Sequence, residues 1–405
     1  MPLRIIFVDL NSYFASVEQA ERPELMGRPI AVVPMMADTT CCLAASYPAK
    51  AYGIKTGTMV RDARKLCPNI TFVEADHNKY VKYHHRIIEA VERCLPIWKV
   101  FSIDEMAIQL FGREQDTHFA KTKALEIKKR IIEEVHPALT CSIGIGPNRY
   151  IAKIASDMQK PDGLVVIQSE ELPHRLFDLK LRDFPGIGAR MEERLIMARC
   201  PSARILCQKS MAEMHDLWGG RLGEDFWRLI HGEELEERET ERGSIGHSRV
   251  LSPSTRTPEH AWAHLVALLS KAAMRLRDEQ FYARSLHLGL AFLQSGRGVE
   301  YWDKRVKFFE TQDTAILLKE LPTLWNEVPK GSKIFKVGVV LSGLVPSDKH
   351  QLSLWEDVKQ TKLMRALDKL NKTHRKNLVV YGASSSLDST PHAPIAFGHI
   401  PDEFE

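Results

Sequence analysis

The stretch KVFSIDEMAIQL, residues 99–110, limits the fold more than any other. Val, Phe, Ile, Ala, Ile and Leu on its two sides read as a buried strand. Asp104 and Glu105 sit side by side inside it. Taking an ionised carboxylate out of water is costly unless something compensates. Any fold for this chain must supply a compensating group at that point.

A third carboxylate suggests what the group is. RIIFVDL (4–10) is a short apolar run ending in Asp9. A strand-borne Asp plus a strand-borne Asp-Glu is what a two-cation site needs. Mg²⁺ prefers carboxylate oxygens and keeps positions open for substrate phosphates. Two such ions about 3.5–4 Å apart stabilise the attacking and leaving oxygens of phosphoryl transfer. The residues alone leave a second option open, an exposed strand end where both carboxylates pair with lysines.

The rest of residues 1–168 is mixed α/β. SYFASVEQAERPEL, HNKYVKYHHRIIEAVERCL and FAKTKALEIKKRIIEEV show helical spacing. RPIAVVP, ITFVEAD and DGLVVIQ read as strands, CCLAASYPAKAYGI and GTMVRDARKLCP as short helices. LTCSIGIGPN reads as a strand entering a Gly/Pro turn, with RYIAKIASDM a helix after it. From 169 to 238 the pattern is short helices and turns. ETERGSIGH (239–247) is polar with two glycines and suggests a linker. From 248 to about 350 helix (HLVALLSKAAMRLRDEQ) and strand (SLHLGLAFL, RVKFFE, IFKVGVVLSGL) alternate. A tail follows.

Several motifs suit a phosphate substrate. SYPAKAYGIKTG places Tyr47 and Lys50 three apart, on one side of a helix. The Gly-rich turn SIGIGPN leads to Lys153 and Lys160. Together, Tyr47, Lys50 and Lys160 suit a triphosphate. FPGIGARMEERL resembles a helix-hairpin-helix, whose glycine turn brings backbone N–H groups to a DNA phosphate without reading bases.

Net charge is only +4, so local distribution must decide the partner. Residues 248–350 hold about 15 Lys/Arg against about 10 Asp/Glu. The seven cysteines show no C-x-x-C spacing, which fits a reduced, cytoplasmic setting rather than a zinc or disulfide framework. No signal peptide or membrane-spanning run is expected.

VDLNSYFASVE (8–18), ASYPAKAYGIKTGT (45–58), DHNKYVKY (76–83), FSIDEM (101–106), SIGIGPNRYIAKIASDMQKPDGL (142–164) and LRDFPGIG (181–188) resemble, in order, the motifs of bacterial Y-family translesion DNA polymerases of the DinB/UmuC type. The resemblance covers most of residues 1–190. It implies an α/β (α+β) right-hand fold. The ferredoxin-like palm would be 1–11 with 75–168, the fingers 12–74, and a helix-hairpin-helix thumb 169–238. A linker at 239–247 and an α/β little finger at 248–350 would follow. Asp9, Asp104 and Glu105 would be catalytic and hold two Mg²⁺, replaceable by Mn²⁺, with the Leu10 carbonyl. Tyr13, Phe14, Tyr47, Lys50 and Lys160 would bind the nucleotide, Phe14 as a steric gate against a ribose 2′-OH. Gly186, Gly188, Arg249, Arg305, Lys307 and Lys336 would touch DNA. QLSLW resembles a sliding-clamp-binding peptide, with Gln351, Leu352, Leu354 and Trp355 as anchors. The helical pattern after it suits a further partner.

Three residues depart from the family pattern. Asn11 stands where a D-x-D motif has its second Asp, and Lys50 where Arg is usual. Met106 stands where Ala is common. Lys lacks the bidentate fork of Arg, so a looser triphosphate grip is expected. The implied activity is low-fidelity, template-directed DNA synthesis by a monomer on primer–template DNA with dNTPs, without proofreading. A non-catalytic DNA- and clamp-binding adaptor is the alternative, and a palm-fold nucleotide cyclase a more distant one.

Overall fold

IIFVDL is apolar at all positions but one, the pattern of a strand covered on both faces. In the computed structural model it is β1 (Ile5–Leu10), buried at all six positions. The structure describes residues 2–236, 242–294, 298–329, 331, 333–351, 358–373, 379–385 and 387. They belong to two compact units, divided at residue 237.

In the first unit β1 is followed by α1 (Tyr13–Glu21), β2 (Ile30–Val33), β3 (Ala44–Ala45), α2 (Tyr47–Ala51), α3 (Val60–Leu66) and β4 (Thr71–Glu74). Next come α4 (His77–Glu92), β5 (Lys99–Ser102), β6 (Glu105–Gln109), α5 (Thr117–Arg130), β7 (Cys141–Gly146), α6 (Arg149–Met158) and β8 (Leu164–Val166). The main sheet has the order β5-β6-β1-β7-β8, and β3-β2-β4 form a smaller one. Side chains alternate between faces along a strand. Ile6, Val8 and Leu10 pack with Tyr80 and Ile87 of α4 and with Ala120 and Ala124 of α5. Ile5 and Phe7 point the other way, toward Ala152 of α6. Asp9 falls on that α6 side.

Two sequence expectations change here. KVFSIDEMAIQL is not one strand but a hairpin: β5 and β6 pair antiparallel around the two-residue turn Ile103–Asp104. Asp104 is therefore a turn residue, and Glu105 opens the return strand. SIGIG is not a phosphate-binding turn but β7 itself. Gly144 and Gly146 are needed for packing. A Cβ at Gly146 would lie 3.0 Å from the Ala152 nitrogen, and one at Gly144 2.9 Å from the Ala155 carbonyl carbon. Glycine lets α6 lie directly on the sheet.

The first unit ends with α7 (Ala189–Met197), α8 (Ala203–Cys207), α9 (Met211–Trp218) and α10 (Arg221–Ile230). They enclose a core of Phe184, Leu195, Met214 and Phe226, shared with Ile151 and Ile154 of α6.

The second unit contains β9 (Ser244–Val250), α11 (Pro258–Asp278), β10 (Phe281–Gln294), β11 (Gly298–Thr311) and α12 (Thr314–Trp325). It continues with β12 (Lys333–Ser342), β13 (Val345–Pro346) and α13 (Val358–Thr373). Its sheet has the order β11-β10-β12-β9. Leu265 and Leu269 of α11 and Leu317 and Leu321 of α12 cover one face, packing on Leu286, Leu288, Val337 and Val339. Residues 244–247, polar enough to suggest linker, are strand, because β9 pairs with β12 from Ser244 onward. α13 docks on its own unit: Asp368 takes a two-point ion pair from buried Arg277 at 2.6 and 2.8 Å. One face of the helix that the sequence offers to a further partner is thus used within the unit. Among the described residues no helix is long and apolar enough to cross a membrane.

Candidate active site

The register of the main sheet assembles the acidic site. Asp9 lies opposite Glu105 on one side and opposite Ser142 on the other. Directly paired residues share a face, so Asp9 and Glu105 both look toward α6. The Leu10 amide donates to the Asp104 carbonyl at 2.9 Å, which brings the hairpin turn against the end of β1. The three carboxylates and the Leu10 backbone are thus together, as the sequence suggests.

Their compensating groups are ammonium ions. Lys153 of α6 bonds Asp9 and reaches Glu105 at 2.7 Å and Asp157 at 3.3 Å. Lys160 reaches Asp9 at 2.6 Å and Asp157 at 2.8 Å. Asp9 is only 4% exposed, so these pairs are poorly screened. Desolvation acts against the charged form of both lysines, but the surrounding carboxylates win and raise both pKa values. Asp104 makes no ion pair among the described residues, although the Lys153 charge acts on it. Burial raises its pKa, Asp9 and Glu105 raise it further, and a 2.6 Å hydrogen bond from Ser102 opposes them. Among the described residues no three acidic, His or Cys side chains are gathered as a finished metal cluster. Asp9 and Glu105 face ammonium groups. The donor set still fits a hard divalent cation, being all oxygen.

The nucleotide-binding candidates divide. Tyr47 and Lys50 share α2, with the Lys50 ammonium 4.4 Å from the Tyr47 ring centroid. Burial raises the Tyr47 pKa, and Lys160, Asp9 and Asp157 all act on it, so α2 borders the acidic site. The Tyr47 hydroxyl and the Ser12 hydroxyl are buried without a hydrogen bond of normal geometry. Ser12 also holds left-handed backbone, φ 49°, at the start of α1. The two hydroxyls interact with each other, and local backbone strain beside them is what a ligand site stores. Phe14 is buried and stacks on Tyr80 with 4.4 Å between centroids. Tyr13 is buried close enough to Asp104 to feel its charge. Its buried hydroxyl donates to the Tyr80 carbonyl at 2.6 Å, because its position on α1 turns it into the core.

Several functional neighbours carry no motif-level signal. Asp157 anchors both lysines; it lies inside the motif at 142–164, which suggests no role for it. His84 of α4 is buried, with Nδ1 2.8 Å from the Ile103 carbonyl. Facing an acceptor, Nδ1 must carry the hydrogen, and the ring steadies the turn that presents Asp104. Burial pushes the His84 pKa down to about 4, so it is neutral at pH 7.

Gly186 takes φ +90°, a conformation that favours glycine, and Gly188 precedes α7. The limb before them is a single 3₁₀ turn, Leu181–Asp183, rather than a full helix. In the second unit Arg305, Lys307 and Lys336 lie opposite His287, Ser285 and Ala291, on the sheet face away from α11 and α12. Arg249 does not join them. It lies opposite core residue Val337, which turns it to the helix-covered face, half-buried. Gln351 is exposed, while Leu352, Leu354 and Trp355 lie outside the described residues.

Residues 8–157 match the impB/mucB/samB family model, and residues 242–354 match the model of that family's C-terminal domain. A curated DNA polymerase IV from Moorella thermoacetica is 34% identical over 385 residues, covering 93% of this chain and 94% of the relative. One from Pelotomaculum thermopropionicum is 31% identical, covering 89% and 90%. Among solved structures, a Y-family polymerase chimera of Dbh with a Dpo4 segment matches with TM-score 0.69. It is 23% identical and covers 85% of this chain and 99% of its own. DinB from Sulfolobus solfataricus matches with TM-score 0.53 at 24% identity, covering 84% and 98%. At these identities the two structures speak for the fold.

Proposed function

This chain belongs to the impB/mucB/samB family of Y-family DNA polymerases, and from that premise we propose how its residues carry out template-directed, translesion DNA synthesis. The observation that carries the proposal is the convergence of Asp9, Asp104 and Glu105 with Lys153, Lys160 and the Tyr47 hydroxyl at one end of the main sheet.

Y-family polymerases depend on divalent metal. Here two Mg²⁺, or Mn²⁺ in their place, would be held by Asp9, Asp104, Glu105 and the Leu10 carbonyl. When bound, the ions supply Lewis-acid stabilisation of the attacking and leaving oxygens. The protein contributes the rest. Lys160 and Lys50 bring positive charge to the triphosphate, and the Tyr47 hydroxyl donates to a phosphate oxygen. Phe14, backed by Tyr80, fills the space a ribose 2′-OH needs. Lys153 keeps Asp157 as a second anion when Asp9 and Glu105 turn to other cations. The primer 3′-OH attacks the α-phosphorus and pyrophosphate leaves.

In this assignment the palm, fingers and thumb occupy 1–11 with 75–168, 12–74 and 169–238. The little finger contacts primer–template DNA through the Arg305, Lys307 and Lys336 face, by phosphate attraction rather than base reading. QLSLW engages a sliding clamp. The protein acts in the cytoplasm as a monomer. The adaptor alternative draws no support from the site, where all three carboxylates are in place.

Primer extension by Asp104→Ala tests the assignment. Extension with Mg²⁺ should vanish while primer–template binding persists. Extension at the wild-type rate would overturn it.

A further inference from the structure

Asn11 occupies the position of the second Asp in a D-x-D motif, which makes it a candidate metal ligand by sequence. Its contacts describe a different role. Asn11 is 2% exposed, and its amide is used on both sides. Nδ2 donates to Ser142 Oγ at 2.9 Å. Oδ1 accepts from Thr140 Oγ1 at 3.1 Å and from the Asp162 amide at 2.8 Å. Its backbone carbonyl accepts from Ser16 Oγ at 2.7 Å.

The Asp162 bond matters most, because Asp162 lies two residues from Lys160. The turn from Gln159 to Gly163 carries Lys160 into the acidic site. Asp162 holds left-handed backbone there, φ 56°, a conformation Asp tolerates better than most non-glycine residues. The same turn hangs from Ser142 Oγ, which accepts from the Gly163 amide at 3.4 Å and donates to the Gln159 carbonyl at 3.5 Å. Lys128 grips it from the α5 side, pairing with Asp162 at 2.6 Å and reaching the Gly163 carbonyl at 3.3 Å. The proton pattern closes. Ser142 gives its hydrogen to the Gln159 carbonyl and accepts from Gly163 and from the Asn11 amide.

We propose that Asn11 is a positioning residue for the incoming nucleotide: its buried amide clasps the Gln159–Gly163 turn to the end of β1 and sets where the Lys160 ammonium meets the triphosphate. This rests on the polymerase assignment above. Asn11 acts through Lys160 and binds no metal. The clasp also accounts for tolerance of Asp in this position. A carboxylate accepts from Thr140 and Asp162 as the amide oxygen does, and Ser142 can turn its hydrogen toward it.

The test uses the full chain, single-nucleotide incorporation on a primer–template with Mg²⁺, and a thermal melt of each variant. Wild-type incorporation is the control for the polymerase assignment itself; its failure would sink that assignment and not the clasp. With wild type active, Asn11→Ala should raise KM for dNTP about tenfold, the size expected from the lost hydrogen bond to the Asp162 amide, the one of its three that holds the lysine-bearing turn directly. kcat should change less than about threefold, and DNA affinity should hold. Asn11→Asp should return KM to within about threefold of wild type. Ser142→Ala removes the shared anchor while leaving Asn11 in place, and should raise KM in the same direction. It decides the matter if Asn11→Ala does not fold. Unchanged KM in a folded Asn11→Ala, or in Ser142→Ala when that variant must decide, overturns the proposal. So does a fall in kcat at constant KM accompanied by weaker Mn²⁺ binding to the free protein, the signature of a lost metal ligand.

Discussion

Gly144→Ala should damage catalysis from beneath the site. Position 144 lies on the α6 side of β7, opposite Phe7. A methyl there would sit 2.9 Å from the Ala155 carbonyl carbon, and nearer still to the Ala152 oxygen and the Ser156 nitrogen. Ordinary carbon contacts begin at about 3.5 Å, so α6 must retreat by roughly 1 Å or more. All three obstructing atoms are backbone, and no rotamer change clears them. Overpacking of this kind costs about 3 kcal/mol, the upper end of the usual range. For a unit of this size that lowers Tm by roughly 6–12 °C. The helix that moves carries Lys153 and Asp157, so the charge arrangement around Asp9 shifts with it. A displacement of about 1 Å in such a site costs on the order of a hundredfold in rate. Thermal melting and single-turnover primer extension, run on the same preparation, read both effects. A variant with wild-type Tm and wild-type rate would refute the packing account of the SIGIG glycines.

Phe14→Val should admit ribonucleotides, reducing the preference for dNTP by on the order of a hundredfold while deoxynucleotide extension survives; unchanged sugar selectivity would remove Phe14 from the gate. Acid should destabilise both units through buried histidines. His84 and His264 are pushed down to about 4 by burial, below the ordinary 6.5. The unfolded chain therefore binds more protons between those values. Their contribution is complete above about pH 6.5 and declines toward pH 4, by up to about 1.4 kcal/mol per pH unit for each group. Melting from pH 7 to 4.5 should show a smaller loss in His84→Asn and His264→Asn than in wild type, and equal losses would count against the assignment.

The acidic core of the site was legible because carboxylates in apolar strands are conspicuous. So was the Tyr47–Lys50 pair, whose spacing fixes a helix face. What stayed hidden depended on contacts between distant residues. Asn11 finds its partners at Thr140, Ser142 and Asp162, and no local pattern announces them. Lys153 and Asp157 look like any exposed i,i+4 pair until the sheet places Asp9 and Glu105 beside them. The SIGIG glycines were visible but admitted two physical meanings, and only the depth of α6 decides for packing. Arg249 shows how little separates right from wrong in a strand. A shift of one residue turns a side chain from the open face to the covered one. α12 lacked a signal strong enough to stand out among the surrounding strands, and β9 began inside a polar stretch.

The lysines at Asp9 and Glu105 also bear on how the protein behaves when stripped of metal. In domains nucleated by an ion, chelation removes folding energy directly and the chain unravels. Here the strongest acidic contacts are already satisfied within the chain, by ammonium groups that α6 and the following turn deliver. The sheet that carries the site is held by its own apolar packing on α4, α5 and α6. Purification in the presence of a chelator should therefore yield a folded protein whose activity returns on adding salt of the right ion, with no refolding step in between.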